Sequence, residues 1–287
     1  MKSSHILLVV VLALVAGFGG AKLAGSAGGS QASKTETSYE RVVRTQTLRC
    51  GYAIWEGVVM KNDKGEVYGP WIDITNDLGR AVGLKIEWVS EVGWGEIGAA
   101  LKSNKIDAMC AGMWSSAMKA KEMALSAPVA YQGVGIFVRG DDHRFDADAS
   151  LLNSASTKLA VIDSDNSDFV AQTDYPQAQR VGVGLMGTDA DVLMNVATGK
   201  ADATFVTPGT WRIFDRNSAG TVRPLHPGQY VRMFGLVYAT GDGDHRLVQL
   251  INAGVSEIIA SGLVDRILDK ADKDYLDMFL RVIKNYR

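Results

Sequence analysis

Twice along this chain, short apolar runs alternate with amphipathic ones in the order strand, helix, strand, helix, strand. The first pass reads "TLRCGYAIW", "WIDITNDLGRAV", "LKIEWVSEV", "GWGEIGAALKSNK" and "IDAMCAGM", with the hairpin "KNDKGEVYG" inserted after its first strand. The second reads "KLAVIDS", "SDFVAQTDY", "QRVGVG", "TDADVLMNVATGK" and "ADATFVT". Leu84, Ile86 and Trp88 alternate with polar neighbours, which is the period of a strand. Ile72, Leu78 and Val82 fall on one helical face, with Gly83 as the stop. Parallel neighbours need a crossover, so this order predicts mostly parallel sheets flanked by helices, an α/β fold. "RMFGLVYAT" returns the chain as a strand, and the segment from Asp244 reads as helical to the end. Open α/β sheets bind ligands beyond the carboxyl ends of their strands, and two such sheets facing each other would make a cleft between lobes, a common place for a small-molecule site.

The termini and the charge narrow what such a chain does. Lys2 precedes an apolar run, Ile6 to Phe18, followed by "GGAKLAGSAGG". This is the pattern of an export signal cut after Ser26, with a retained anchor as the alternative. The run is short of the roughly 20 residues of a bilayer span. No Cys lies near the cut to carry a lipid. Residues 27–46 show no hydrophobic period and read as a linker. Cys50 and Cys110 lie in apolar strands and read as small core residues; a bridge is open to them if those strands are neighbours. A net charge of −2 with 22% charged residues gives no basic face for nucleic acid. His5, His143, His226 and His245 are scattered, "GDGDH" is too short for a calcium loop, and no phosphate-binding glycine loop is present, so neither metal nor cofactor is expected.

Six short motifs occur in one order: "GPWIDI", "WGEIGAALKSNKIDA", "GMWSSAMK", "ALSAPVAY", "VATGKADA" and "NAGVSEIIASGLVDRI". Through them the chain, from Leu48 to about residue 272, resembles the extracytoplasmic solute-binding proteins of ABC importers, polar amino-acid type (family 3). The resemblance implies the type II periplasmic-binding-protein fold, two α/β lobes joined by two hinge strands. Lobe 1 would hold residues 47–130 and 234–287, and lobe 2 residues 134–230, with hinges near Pro128–Gly133 and Tyr230–Phe234. It further implies a periplasmic monomer that is not an enzyme. Such a protein traps a small solute by hinge closure and hands it to a membrane permease.

The same resemblance locates a site and shows it altered. The family holds an amino-acid zwitterion with an Arg after "GM", a Thr just after that pair, and an acid after "A-D-A-x-x-x". Those places are Lys119, Trp114 and Thr207 here. Lys lacks the planar fork of Arg, an indole replaces a hydroxyl, and Thr207 cannot neutralise an ammonium, so a standard α-amino acid is not the expected ligand. Tyr52, Trp55 and Glu56 lie where the family lines its cleft, Trp94 where it stacks a ring, and Gly112 opens the "GM" pair. Ser116 can cap the following helix or donate to a ligand. Asp165 and Asn166 fall on the ligand-facing positions of lobe 2. Each has a plainer reading: Trp55 and Trp94 as packing, Ser116 and Asp165 as caps, Lys119 as a solvated charge. Three indoles with Glu56 and Asp165 suit a cationic or flat heteroaromatic solute; the rival is a carboxylate held by Lys119. A cyclohexadienyl-dehydratase-like enzyme on the same fold, and a sensory or interaction module using the C-terminal extension with Leu276, Phe279, Leu280 and Ile283, are the alternatives.

Overall fold

The computed structural model describes residues 36–275 and 278–282. The expected signal, and residues 27–35 of the expected linker, lie outside the described residues. The rest of that linker is corrected: Ser38–Thr45 is a helix, α1. Its start is a capping box. The Thr37 hydroxyl accepts from the Glu40 amide at 3.2 Å, and the Glu40 carboxylate accepts from the Thr37 amide at 3.0 Å. Val42 is its one buried anchor, and Arg41 ion-pairs with the buried Asp107.

The described strands are β1 (Thr47–Tyr52), β2 (Met60–Lys61), β3 (Val67–Tyr68), β4 (Lys85–Glu91), β5 (Ala108–Trp114), β6 (Met123–Leu125), β7 (Ala130–Arg139), β8 (Lys158–Val161), β9 (Gln179–Gly182), β10 (Ala203–Val206), β11 (Val222–Pro224), β12 (Arg232–Gly241) and β13 (Leu280–Arg281). The helices after α1 are α2 (Pro70–Ala81), α3 (Ile97–Lys102), α4 (Asn166–Asp174), α5 (Asp189–Ala197), α6 (Pro208–Asn217), α7 (His245–Ala260) and α8 (Leu263–Tyr275). One path of strands runs β4-β1-β5-β12-β7-β10-β8-β9. At one end β4, β1 and β5 are parallel, and at the other β10, β8 and β9 are. Between them β12 and β7 run antiparallel to their neighbours. The alternating pattern therefore gives the expected α/β lobes, each with a parallel triplet.

β7 belongs to both lobes. Its residues up to Val134 pair with β12, and from Gly135 onward with β10. Chain and return chain cross closely there: a Cβ on Gly133 would run into the Tyr230 ring. Glycine is what lets the ring lie against the strand.

Two further expectations are corrected. Cys50 and Cys110 are a disulfide, not separate core thiols, with Cα atoms 5.4 Å apart. β1 and β5 are adjacent and pair Cys50 with Ala108, so the bridge needs no backbone displacement. Closing a separation of 60 residues restricts the unfolded chain by an amount on the order of 4 kcal/mol. The C-terminal segment is not helical throughout. Gly262, at φ +67°, breaks it between α7 and α8, and β13 then pairs with Tyr131 and Ala130 at the start of β7. Met278 and Phe279 are buried, while Leu276 and Ile283 lie outside the described residues.

Candidate functional site

Six polar or aromatic side chains stand where strands end. Trp55 follows β1, Trp94 follows β4 and Trp114 ends β5, all in lobe 1. Asp165 follows β8, Asp189 follows β9 and Thr207 follows β10, all in lobe 2. Each lobe thus presents the carboxyl ends of its parallel strands to the other. Trp55 sits in a tight turn bridged to Val59, Trp94 stands between Gly93 and Gly95, and the lobe 2 groups open helices α4, α5 and α6.

The indoles form a right-angled box. Trp55 meets Trp94 edge-on at 5.5 Å between ring centroids and Trp114 at 5.6 Å. Phe234 of β12 stacks on Trp114 at 5.3 Å. The Trp114 ring nitrogen donates to Gln132 Oε1 at 2.7 Å, and the Trp55 nitrogen reaches Thr210 Oγ1 at 3.5 Å. With the Trp55 and Trp114 N–H groups turned to protein acceptors, ring faces remain for a guest. The pocket is lined by the three indoles, Asp165 and Asp189, with about 20 Å³ free for a water-sized guest at its centre. That is room for about one water.

Lys119 and Asp165 join across the cleft. Lys119 Nζ donates to Asp165 Oδ1 at 2.8 Å, with side chains only 6% and 10% exposed. Lys119 lies in a one-turn 3₁₀ segment, Lys119–Lys121, rather than the expected helix, because the turn ends after three residues at β6. The Ser116 hydroxyl accepts from the Lys119 amide at 3.3 Å. Asp165 is the N-cap residue of α4, but its side chain makes no capping bond; it is spent on the lysine. Asn166 is fully buried and its Nδ2 donates to the Trp114 carbonyl at 3.0 Å, a second link between lobes. Its Oδ1 and the Gln132 Nε2 are buried without partners.

The remaining expected residues fall elsewhere. Thr207 caps α6, its hydroxyl accepting from the Thr210 amide at 3.0 Å. Tyr52 is buried against Trp88 and under Lys61, and Glu56 is exposed in the turn after Trp55; neither lines the pocket. Gly112, at φ +73°, is a packing requirement: a Cβ there would run into the Trp71 ring. The sequence reading missed Asp189. It is the first residue of α5, behind a Thr188–Asp191 capping box. Burial first, and the Asp165 carboxylate second, push it up to about 7. Its side chain retains a partial solvent edge. The "TDAD" capping box marks the helix start, and an acid just inside it after a strand was the available signal.

A family profile, the bacterial extracellular solute-binding proteins, family 3, matches residues 48–271. No curated protein sequence matches the chain. Among solved structures it is similar to an ancestral amino acid-binding protein, a precursor of cyclohexadienyl dehydratase, at 24% identity and TM-score 0.67, over 82% of this chain and 98% of that one. The substrate binding protein of an amino acid ABC transporter is similar at 21% identity and TM-score 0.65, over 79% and 99%. A histidine kinase sensor domain with similarity to periplasmic binding proteins gives 20% identity and TM-score 0.67, over 82% and 97%. At these identities the likeness concerns the fold.

Proposed function

The chain belongs to the bacterial extracellular solute-binding proteins, family 3, and from that premise we propose that it captures a cationic or flat heteroaromatic solute outside the cytoplasmic membrane and presents it to an ABC permease. A solute-binding role is the property of the family; the solute and the delivery are our reading. Residues 47–130 and 234–287 would move as one lobe and 134–230 as the other, with closure driven by a guest that touches both. The periplasm is the compartment that fits this role.

The observation that carries the choice of ligand is the buried Lys119–Asp165 pair. The one cation standing where an amino-acid carboxylate would dock is already neutralised by the protein. A carboxylate guest must break a desolvated ion pair before it gains one, and leaves Asp165 uncompensated. A guest with a delocalised positive charge meets indole faces and carboxylates instead. Isothermal titration with a panel of α-amino acids, dicarboxylates, organic amines and heteroaromatic cations tests this. Binding is expected from the amines or ring cations; tight binding confined to dicarboxylates or to a standard α-amino acid would contradict it. One observation favours a second reading, a dehydratase-like lyase: Asp189 is a carboxylic acid poised near neutral pH. Lys119, the cation that reaches Asp165 of the pocket, is engaged, which weakens that reading, and consumption of a prephenate-class acid in the same panel would restore it.

A further inference from the structure

We infer that Asp189 is the counter-charge that selects the ligand, so that the pocket takes an organic cation with one positive charge and no carboxylate. This rests on the reading that a solute sits among the indoles. Of the two carboxylates lining the pocket, Asp165 is matched by Lys119. Asp189 has no hydrogen-bond or ion-pair partner among the described residues. Once ionised, it leaves the pocket with one unmatched negative charge. A guest cation relieves the cost of keeping that charge out of water, whereas a guest carboxylate adds a second charge of the same sign.

The surroundings of α5 supply no alternative partner. β7, β8, β10 and β11 meet it with Phe137, Ala160, Val206 and Val222, and α6 with Trp211 and Phe214. Asp191 on its own helix is held in the capping box by Thr188. Those elements also carry Arg139, Lys158, Arg212, Asp215, Arg216 and Arg223, none of which pairs with Asp189; the charged groups that act on it are Asp165 and, through it, Lys119. Because burial and Asp165 hold the Asp189 proton to about 7, a bound cation must displace that proton. Affinity for a cation then rises with pH through about 7 and levels above it.

Three probes sharing one ring separate the terms: 1-methylnicotinamide, a cation; nicotinamide, neutral; and trigonelline, a ring cation bearing a carboxylate. At pH 8 the wild-type protein is expected to bind the cation on the order of tenfold more tightly than the other two, with the preference shrinking below pH 7. Asp189→Asn should lose both the preference and its pH dependence, and Asp189→Glu should retain them. A wild-type preference that survives Asp189→Asn, or one that does not change with pH, would overturn the assignment while leaving the cationic reading in place. Failure of all three probes to bind wild type would overturn that reading and the inference together. If Asp189→Asn does not fold, the wild-type pH profile and Asp189→Glu decide.

Discussion

Lys119 and Asp165 sit 2.8 Å apart with little solvent at either, and the pair matters more for what happens when it is halved than for its net strength. Lys119→Met leaves a buried carboxylate without a partner, which is expected to lower stability by roughly 3–5 kcal/mol. The double variant Lys119→Met with Asp165→Leu removes both charges and should recover most of the loss. Chemical denaturation of the three proteins checks this, and a double variant less stable than the single one would contradict it. The parts of this site that stand on one motif were legible from the sequence. Trp55, Trp94 and Trp114 are bulky rings at strand ends, and the departure at Lys119 is visible beside "GM". Asp189 was not, because nothing local distinguishes it from an ordinary helix-opening acid; its meaning comes from Asp165 and the indole box, which only the tertiary fold brings to it.

Helices and strands that follow a clean period, such as α2 with Trp71, Ile72, Ile74 and Leu78 inward, were readable directly. α1 and β13 were not. α1 carries a single buried residue, so its signal is the capping box rather than a hydrophobic stripe. β13 owes its conformation to an open edge on β7, which periodicity cannot report. The Cys50–Cys110 bridge likewise depends on which strands are neighbours. At this scale the loop around Trp94 is one contact between lobes. The Gly95 amide donates to the Leu185 carbonyl at 3.3 Å, and a Cβ on Gly95 would lie 2.8 Å from the Asp163 carbonyl oxygen. Gly95 does not use a left-handed backbone, so alanine brings no strain of its own. Gly95→Ala is expected to hold the lobes apart: a larger radius of gyration by X-ray scattering in the presence of ligand, about tenfold or greater loss of affinity, and a nearly unchanged melting temperature. An unaltered radius and affinity would show that the contact does not govern closure.

The described chain forms two α/β lobes joined through β7 and β12, with β7 changing partner between Val134 and Gly135. Its order of elements was legible because parallel triplets demand alternation; the crossing itself was legible only through resemblance. The strand ends meet around a pocket beside which Lys119 is held by Asp165, while Asp189 is left without a counter-charge. Native mass spectrometry of the protein isolated from its own cells, without refolding, reads that pocket most directly. A retained small molecule of single positive charge, lacking a carboxylate and lost on opening the protein with denaturant, is the expected result. A standard α-amino acid or a dicarboxylate in its place would contradict a cleft that has given its lysine to Asp165.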